Sequence, residues 1–108
     1  ILNEIDDALR IFPDKSKIVM MQCTSMYPCT PNHVGLNLIS YFKEKYEINV
    51  GFSDHTLTNT AALIAFAYGA KTIEKHLTFS KNMYGSDAPF ASEPNQFKEL
   101  SLALNEAE

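Results

Sequence analysis

The sequence has 108 residues, a length typical of one domain, and carries a net charge of −4. This acidic balance argues against a nucleic-acid partner, which needs a basic stripe, and no apolar run is long enough to cross a bilayer, so no membrane partner is expected. The chain opens at Ile1 inside an amphipathic pattern, which predicts a piece of a longer protein. Cys23 and Cys29 lack the spacing of a zinc site and are too few for a disulfide framework, which predicts reduced thiols in a cytoplasmic protein.

The first part of the chain is predicted to form a helix, a buried strand and a second helix. Asn3 is placed to cap the first helix, and Pro13 to end it. Residues 17–23 form a nearly continuous apolar run, which is typical of a parallel strand that is buried on both faces. Thr30 followed by Pro31 predicts the start of the second helix, since a capping hydroxyl precedes a proline of the first turn.

The rest of the chain repeats the strand–helix unit twice. A strand is predicted at 48–52 and a helix at 60–68. A third strand is predicted at 71–77, and a loop of 16 residues, 78–93, separates it from the helix that Pro94 opens. A loop of this length inside an α/β unit is usually functional or disordered.

The order of these elements indicates an α/β protein with a parallel sheet. Each strand–helix unit takes about 30 residues, as in βαβ building blocks. Three strands cannot close into a barrel of this kind, which needs about 250 residues, and both edges of so small a sheet would be open. The simplest interpretation is that the chain is part of a (β/α) barrel or of a larger parallel sheet.

Polar side chains follow two of the predicted strands at the edge where ligands bind in α/β proteins. Ser53, Asp54 and His55 follow the second strand, and Glu74 and His76 end the third. Two histidines at neighbouring strand ends can share one metal ion, although each imidazole could instead make only a local hydrogen bond. Asp54 either supports the metal site or caps the next turn, and Glu74 either acts in catalysis or supports packing.

Several motifs at this edge resemble the sialic acid synthases, namely N-acetylneuraminate synthase and its legionaminate and pseudaminate relatives. They are Cys-Thr-Ser-Met-Tyr-Pro at 23–28, Ser-Asp-His-Thr at 53–56, Glu-Lys-His-Leu-Thr at 74–78 and Gly-Ser-Asp at 85–87. The second and third motifs are specific as a pair at this spacing. The resemblance covers nearly the whole chain. It implies a (β/α)8 TIM barrel, of which residues 1–108 are the last three βα units preceded by one helix.

The resemblance also implies a reaction. Members of the family condense phosphoenolpyruvate with an N-acylated aminosugar, such as N-acetylmannosamine, to form a sialic-acid-type nonulosonate, and they release phosphate. They require a divalent metal, usually Mn²⁺, although imidazole ligands also suit Zn²⁺ and Mg²⁺ is possible. A homodimer is expected for the intact protein. The alternatives are a non-catalytic remnant that kept the fold and a metal-dependent aldolase.

Residue roles follow from the same resemblance. His55, His76, Ser53 and Tyr27 are expected to point into one cleft, and Asp87 is expected to reach it from the long loop. The sequence departs from many members at 88–91, where Ala-Pro-Phe-Ala replaces His-Lys-Ala-Ser, so the identity of the sugar stays open. The roles implied by the resemblance are metal binding for His55 and His76, contact with the phosphoenolpyruvate for Ser53 and Ser25, and contact with the sugar for Tyr27 and Asp87. Glu74 and Asp54 are candidate catalytic residues because of their position at the strand ends.

Overall fold

The computed structural model describes residues 2–12 and 14–108, and in these residues it forms a parallel three-stranded sheet with four α-helices. None of the helices in these ranges is long and apolar enough to cross a membrane. The helices are α1 (Leu2–Ile11), α2 (Asn37–Tyr46), α3 (Thr60–Ala67) and α4 (Pro94–Ala107), and the strands are β1 (Val19–Cys23), β2 (Asn49–Asp54) and β3 (Thr72–Lys75).

The sheet has the strand order β1-β2-β3, and both pairs of neighbouring strands are parallel. The predicted α/β class with a parallel sheet is therefore confirmed. Closure into an eight-stranded barrel stays a prediction, because within residues 2–12 and 14–108 the sheet has three strands.

The hydrophobic core lies between the sheet and the helices that cover one of its faces. Val50 and Phe52 of β2 are 1% exposed and pack with Ile39 and Phe42 of α2 and with Ala65 of α3. The small side chains of α3 let that helix approach the sheet closely. Since side chains alternate along a strand, β2 directs the intervening residues to the opposite face.

That opposite face is tightly packed at Gly51. A Cβ atom there would lie 2.8 Å from the carbonyl oxygen of Thr72 in β3 and would also collide with the side chain of Met21 in β1. A side chain at this position would therefore push the central strand away from one of its neighbours. The glycine keeps the three strands at hydrogen-bonding distance just before the residues that carry the polar groups.

Several element boundaries differ from the predicted ones. The helix predicted from Pro31 is only a 3₁₀ turn, Pro31–His33, and α2 begins at Asn37, because Gly35 adopts a left-handed φ of +67° that a helix cannot continue through. The Thr30 hydroxyl contacts the His33 ring and does not cap that turn.

The strand boundaries also differ from the predicted ones. β1 begins at Val19 because residues 15–17 form a 3₁₀ turn that the Asp14 carboxylate caps, and β2 continues to Asp54, so that Ser53 and Asp54 lie inside the strand. β3 ends at Lys75. Asn3 lies within α1, and the predicted stop at Pro13 lies outside the described residues.

The long loop after β3 is ordered at its base. The Ser92 amide donates to the carbonyl of His76 at 2.8 Å, and the Thr78 amide donates to the carbonyl of Ser92 at 3.0 Å. The Glu93 carboxylate accepts a hydrogen bond from the Lys81 amide at 3.0 Å and takes part in a capping box with Gln96 at the start of α4. The two ends of the loop are thus held together beside the end of β3.

The open sheet edges predict that the 108-residue chain self-associates on its own. No strand in the described ranges pairs with the outer edge of β1 or β3, and Val19 in β1 is 43% exposed. Unpaired edges with apolar side chains recruit further strands. Light scattering at increasing concentration should show a mass above that of one chain, and a Val19→Lys variant should associate less. A chain that stays monomeric at high concentration contradicts this expectation.

Candidate functional site

Three aromatic rings meet where the parallel strands end. His55 follows β2 and His76 follows β3, and their ring centroids lie 5.3 Å apart with the ring planes at 80°. Tyr27, from the loop after β1, lies 4.3 Å from the His55 ring and 5.6 Å from the His76 ring, centroid to centroid. The structure therefore brings together the two predicted metal ligands and one predicted sugar contact, each from a different strand end.

His55 is held by the loop that follows β1. Its Nδ1 atom lies 2.9 Å from the carbonyl oxygen of Thr24, and its own carbonyl accepts a hydrogen bond of 2.8 Å from the Cys29 amide. A carbonyl oxygen only accepts, so Nδ1 carries the proton and donates. The other nitrogen, Nε2, then presents its lone pair to the cleft, where the Tyr27 hydroxyl lies 3.3 Å away. The His55 residue is 8% exposed, so little room remains for other ring orientations.

His76 is oriented by the long loop. Its Nδ1 atom lies 3.3 Å from the Oδ2 atom of Asp87, as expected from the prediction that Asp87 reaches the cleft from that loop. A carboxylate next to Nδ1 favours the tautomer with a proton on that nitrogen, which leaves Nε2 free. Metal-binding histidines usually donate the N–H of their second ring nitrogen to a carboxylate or a carbonyl. Here His55 has a carbonyl as its partner and His76 has a carboxylate.

The two imidazoles fit a single divalent ion. Metal–nitrogen bonds of about 2.0–2.1 Å place two ligand nitrogens about 4.2 Å apart at most, and rings whose centroids are 5.3 Å apart can meet that requirement. The described ranges contain no group of three or more His, Cys, Asp or Glu side chains that could hold a metal. Among the residues that the structure describes, the candidate ligands of such an ion are therefore these two histidines.

Ser53 and Glu74 lie on the same face of the sheet as the two histidines. They are register partners in β2 and β3, and the Ser53 hydroxyl donates to a Glu74 carboxylate oxygen at 2.7 Å. Ser53 is 5% exposed, whereas Glu74 is exposed. This contact was not predicted from the sequence, although the separation of 21 residues between Ser53 and Glu74 equals that between the two histidines and could have indicated it.

The structure does not bring Asp54 into the cleft. One of its carboxylate oxygens accepts a hydrogen bond of 2.8 Å from the Thr56 amide, and the other forms an ion pair of 2.8 Å with Lys75. Both side chains are almost fully buried, with exposures of 0% for Asp54 and 3% for Lys75. This position on the helix side of the sheet favours the interpretation that Asp54 holds the following turn.

Comparison with known proteins identifies the family. The NeuB family matches residues 1–108. The chain belongs to the NeuB family. It is 36% identical over 109 residues to N,N'-diacetyllegionaminic acid synthase of Campylobacter jejuni, covering 97% of this chain and 33% of that protein. It is also 36% identical over 89 residues to human N-acetylneuraminate-9-phosphate synthase, covering 82% of this chain and 25% of that one.

A solved structure agrees with this assignment. The N-acetylneuraminic acid (sialic acid) synthetase of Leptospira borgpetersenii superposes with a TM-score of 0.89 at 34% identity, over 96% of this chain and 37% of that one. The chain spans about a quarter to a third of the length of the curated relatives it matches. The family match and the names of these synthases confirm the resemblance seen in the motifs.

The loop after β1 carries the remaining predicted site residue of this NeuB-family chain. Ser25 is exposed and lies between Thr24, which binds the His55 ring, and Tyr27. Cys29 ends the same loop and is buried, and this burial raises the pKa of its thiol. A thiol with a raised pKa is a poor nucleophile at neutral pH, as expected for a packed cysteine.

The hydrogen bonds of His55 predict its tautomer. We expect the neutral ring to carry its proton on Nδ1, because the Thr24 carbonyl at 2.9 Å can only accept. Long-range ¹H–¹⁵N NMR correlations of the full-length protein without metal should show a protonated Nδ1 and a free Nε2 for this histidine. A predominant Nε2–H form would contradict the proposed orientation of the ring.

Proposed function

We propose that the protein carrying this chain is a synthase that condenses phosphoenolpyruvate with an N-acylated aminosugar and releases phosphate. The observation that carries the proposal is the meeting of His55, His76 and Tyr27 at the carboxyl ends of parallel strands. In the proposal, residues 1–108 are the last three βα units of a (β/α)8 barrel, and active sites of such barrels lie at this edge. The names of the NeuB-family relatives support the class of product.

His55 and His76 are the residues that would hold a divalent metal in this proposal. When bound, the metal supplies Lewis-acid chemistry that favours attack on the sugar aldehyde. The chain contributes the orientation of the two rings, because the Thr24 carbonyl and the Asp87 carboxylate each engage an Nδ1 atom. Both Nε2 atoms are thereby kept free of protons and directed toward the shared cleft.

Ser53 is proposed to contact the phosphate of phosphoenolpyruvate. A serine hydroxyl has one proton, and in this structure that proton is donated to Glu74 at 2.7 Å. Binding of the phosphate therefore requires the hydroxyl to turn away from the carboxylate. Glu74, exposed on the same face, is then free to accept a proton from the water that adds at C2, and the tetrahedral intermediate formed in this way then expels phosphate.

The sugar is proposed to bind on the side of the cleft formed by Tyr27 and Asp87. Tyr27 is 47% exposed, and the Asp87 side chain is 58% exposed, so both can contact a substrate while they touch the histidines. The relatives are named for different nonulosonate products, and the proposal is therefore limited to the class of N-acylated aminosugars.

The third histidine of the chain provides a control for the metal proposal. In the full-length protein, His55→Ala and His76→Ala should abolish Mn²⁺ binding and activity, because each removes one of the two proposed ligands. His33→Ala should change neither, since the His33 ring is exposed and contacts the Thr30 hydroxyl. Isothermal titration with Mn²⁺ and an assay for phosphate release measure both effects.

The same assays distinguish the alternatives. Mn²⁺ binding that survives both substitutions would contradict the shared metal site. A metal-dependent aldolase would react without consuming phosphoenolpyruvate, and a non-catalytic protein would release no phosphate.

The role of Ser53 can be measured separately. Ser53→Ala in the full-length protein should raise the KM for phosphoenolpyruvate about ten- to a hundredfold, since one hydrogen bond to a charged group contributes roughly 1.5–3 kcal/mol. The KM for the sugar should change little. A raised KM for the sugar together with an unchanged KM for phosphoenolpyruvate would reverse this assignment.

A further inference from the structure

A buried ammonium group lies directly behind the two histidines. The Lys75 Nζ atom donates to the Asp54 carboxylate at 2.8 Å and to the carbonyl oxygens of Thr56 at 2.9 Å and Thr58 at 3.1 Å. An ammonium group has three protons, and each of them finds an acceptor here. The Lys75 side chain is 3% exposed, and its ammonium group is thus paired with a carboxylate and has all three protons in hydrogen bonds.

The position of this group in the chain links it to the cleft. Lys75 immediately precedes His76, and Asp54 immediately precedes His55. The two residues are register partners at the ends of β3 and β2, and their side chains point to the face of the sheet opposite the histidines. The ion pair therefore joins the backbones of the two strands one residue before each histidine.

The Lys75 ammonium group also holds the turn that follows His55. Its bonds to the carbonyls of Thr56 and Thr58 fix the turn after His55, and the Asp54 carboxylate binds the Thr56 amide at 2.8 Å. On the other side, the His55 carbonyl accepts from the Cys29 amide. The His55 backbone is thus held between the loop after β1 and the ammonium group of β3.

The energetics of such a pair favour a geometric role over a contribution to stability. Removing two charges from water costs nearly as much free energy as their attraction returns, so an apolar pair of similar size would stabilise the fold at least as well. An apolar pair makes no directional contacts, however. The four hydrogen bonds around Asp54 and Lys75 define where the two strand ends lie relative to each other.

We propose that Asp54 and Lys75 form a positioning pair that sets the separation and orientation of His55 and His76. The inference rests on the proposed function in one respect, that these histidines hold a divalent ion. Asp54 acts through His55 in this account and touches no substrate. Residues that orient metal ligands from behind typically affect metal affinity about 10–100-fold when they are replaced.

The test uses the double variant Asp54→Asn/Lys75→Met in the full-length protein. Both charges are removed together, so neither partner is left as an uncompensated buried ion, and the asparagine keeps an acceptor for the Thr56 amide. The expected result is Mn²⁺ binding that is weaker by about tenfold or more. Without metal, the Cys29 amide should exchange with solvent faster than in the unchanged protein, because its acceptor is the His55 carbonyl.

Two further variants separate positioning from stability. Leu100→Ala removes a buried side chain from α4, outside the core cluster that contains Cys29, and should lower the melting temperature while leaving Mn²⁺ affinity and hydrogen exchange of the Cys29 amide unchanged. Lys75→Arg keeps the charge, but a planar guanidinium cannot reproduce the three contacts of the ammonium group, so this variant should also bind Mn²⁺ more weakly than the unchanged protein. All measurements are made well below each melting temperature.

The outcomes are distinct. If the double variant binds Mn²⁺ like the unchanged protein, or if Leu100→Ala weakens Mn²⁺ binding as much as the double variant does, the positioning role is wrong. If the unchanged protein binds no Mn²⁺, the metal part of the proposed function fails. In that case hydrogen exchange of the Cys29 amide still tests the positioning role. Exchange that is faster in the double variant but not in the control variant supports the positioning of His55, and equal exchange in the double variant and the unchanged protein overturns it.

Discussion

The register between β2 and β3 is the constraint on which the rest of the site depends. It pairs Ser53 with Glu74 and Asp54 with Lys75, so the residues that follow each strand, His55 and His76, emerge side by side. Alternation along the strands then assigns the first pair to the cleft and the second to the face under the helices. A shift of one residue would exchange these two faces and bury the cleft residues under the helices.

The two faces have different chemistry because they meet different surroundings. Under the helices, a charge is tolerated only with a complete set of partners, and Lys75 has three acceptors there. In the cleft, His55 and His76 each engage Nδ1 in an orienting contact, and Nε2 carries no proton, with the Tyr27 hydroxyl 3.3 Å from the His55 Nε2 atom. The loop after β1 and the long loop after β3 supply those orienting contacts, which gives both loops a defined part in the site. The long loop is therefore not a disordered connection, although its length alone allowed that interpretation.

Much of this arrangement could be predicted from local sequence patterns. Apolar runs located all three strands, and the motifs around His55 and His76 indicated that the two rings would meet. Sequence patterns did not predict features that depend on one backbone angle, such as the left-handed φ of Gly35, which moves the start of α2 to a later residue. They also did not predict contacts that depend on the register of neighbouring strands, such as the hydrogen bond between Ser53 and Glu74. The buried pair of Asp54 and Lys75 was also missed, because composition and periodicity do not show which charged residues find partners inside a fold.

We propose that His55 and His76 share one metal ion at the ends of neighbouring strands. The most direct measurement is anomalous diffraction at the manganese edge from crystals of the full-length protein grown with Mn²⁺. The account predicts one strong peak within about 2.2 Å of the Nε2 atoms of both histidines. A peak that contacts only one of these rings, or an ion held entirely by other residues, would contradict it.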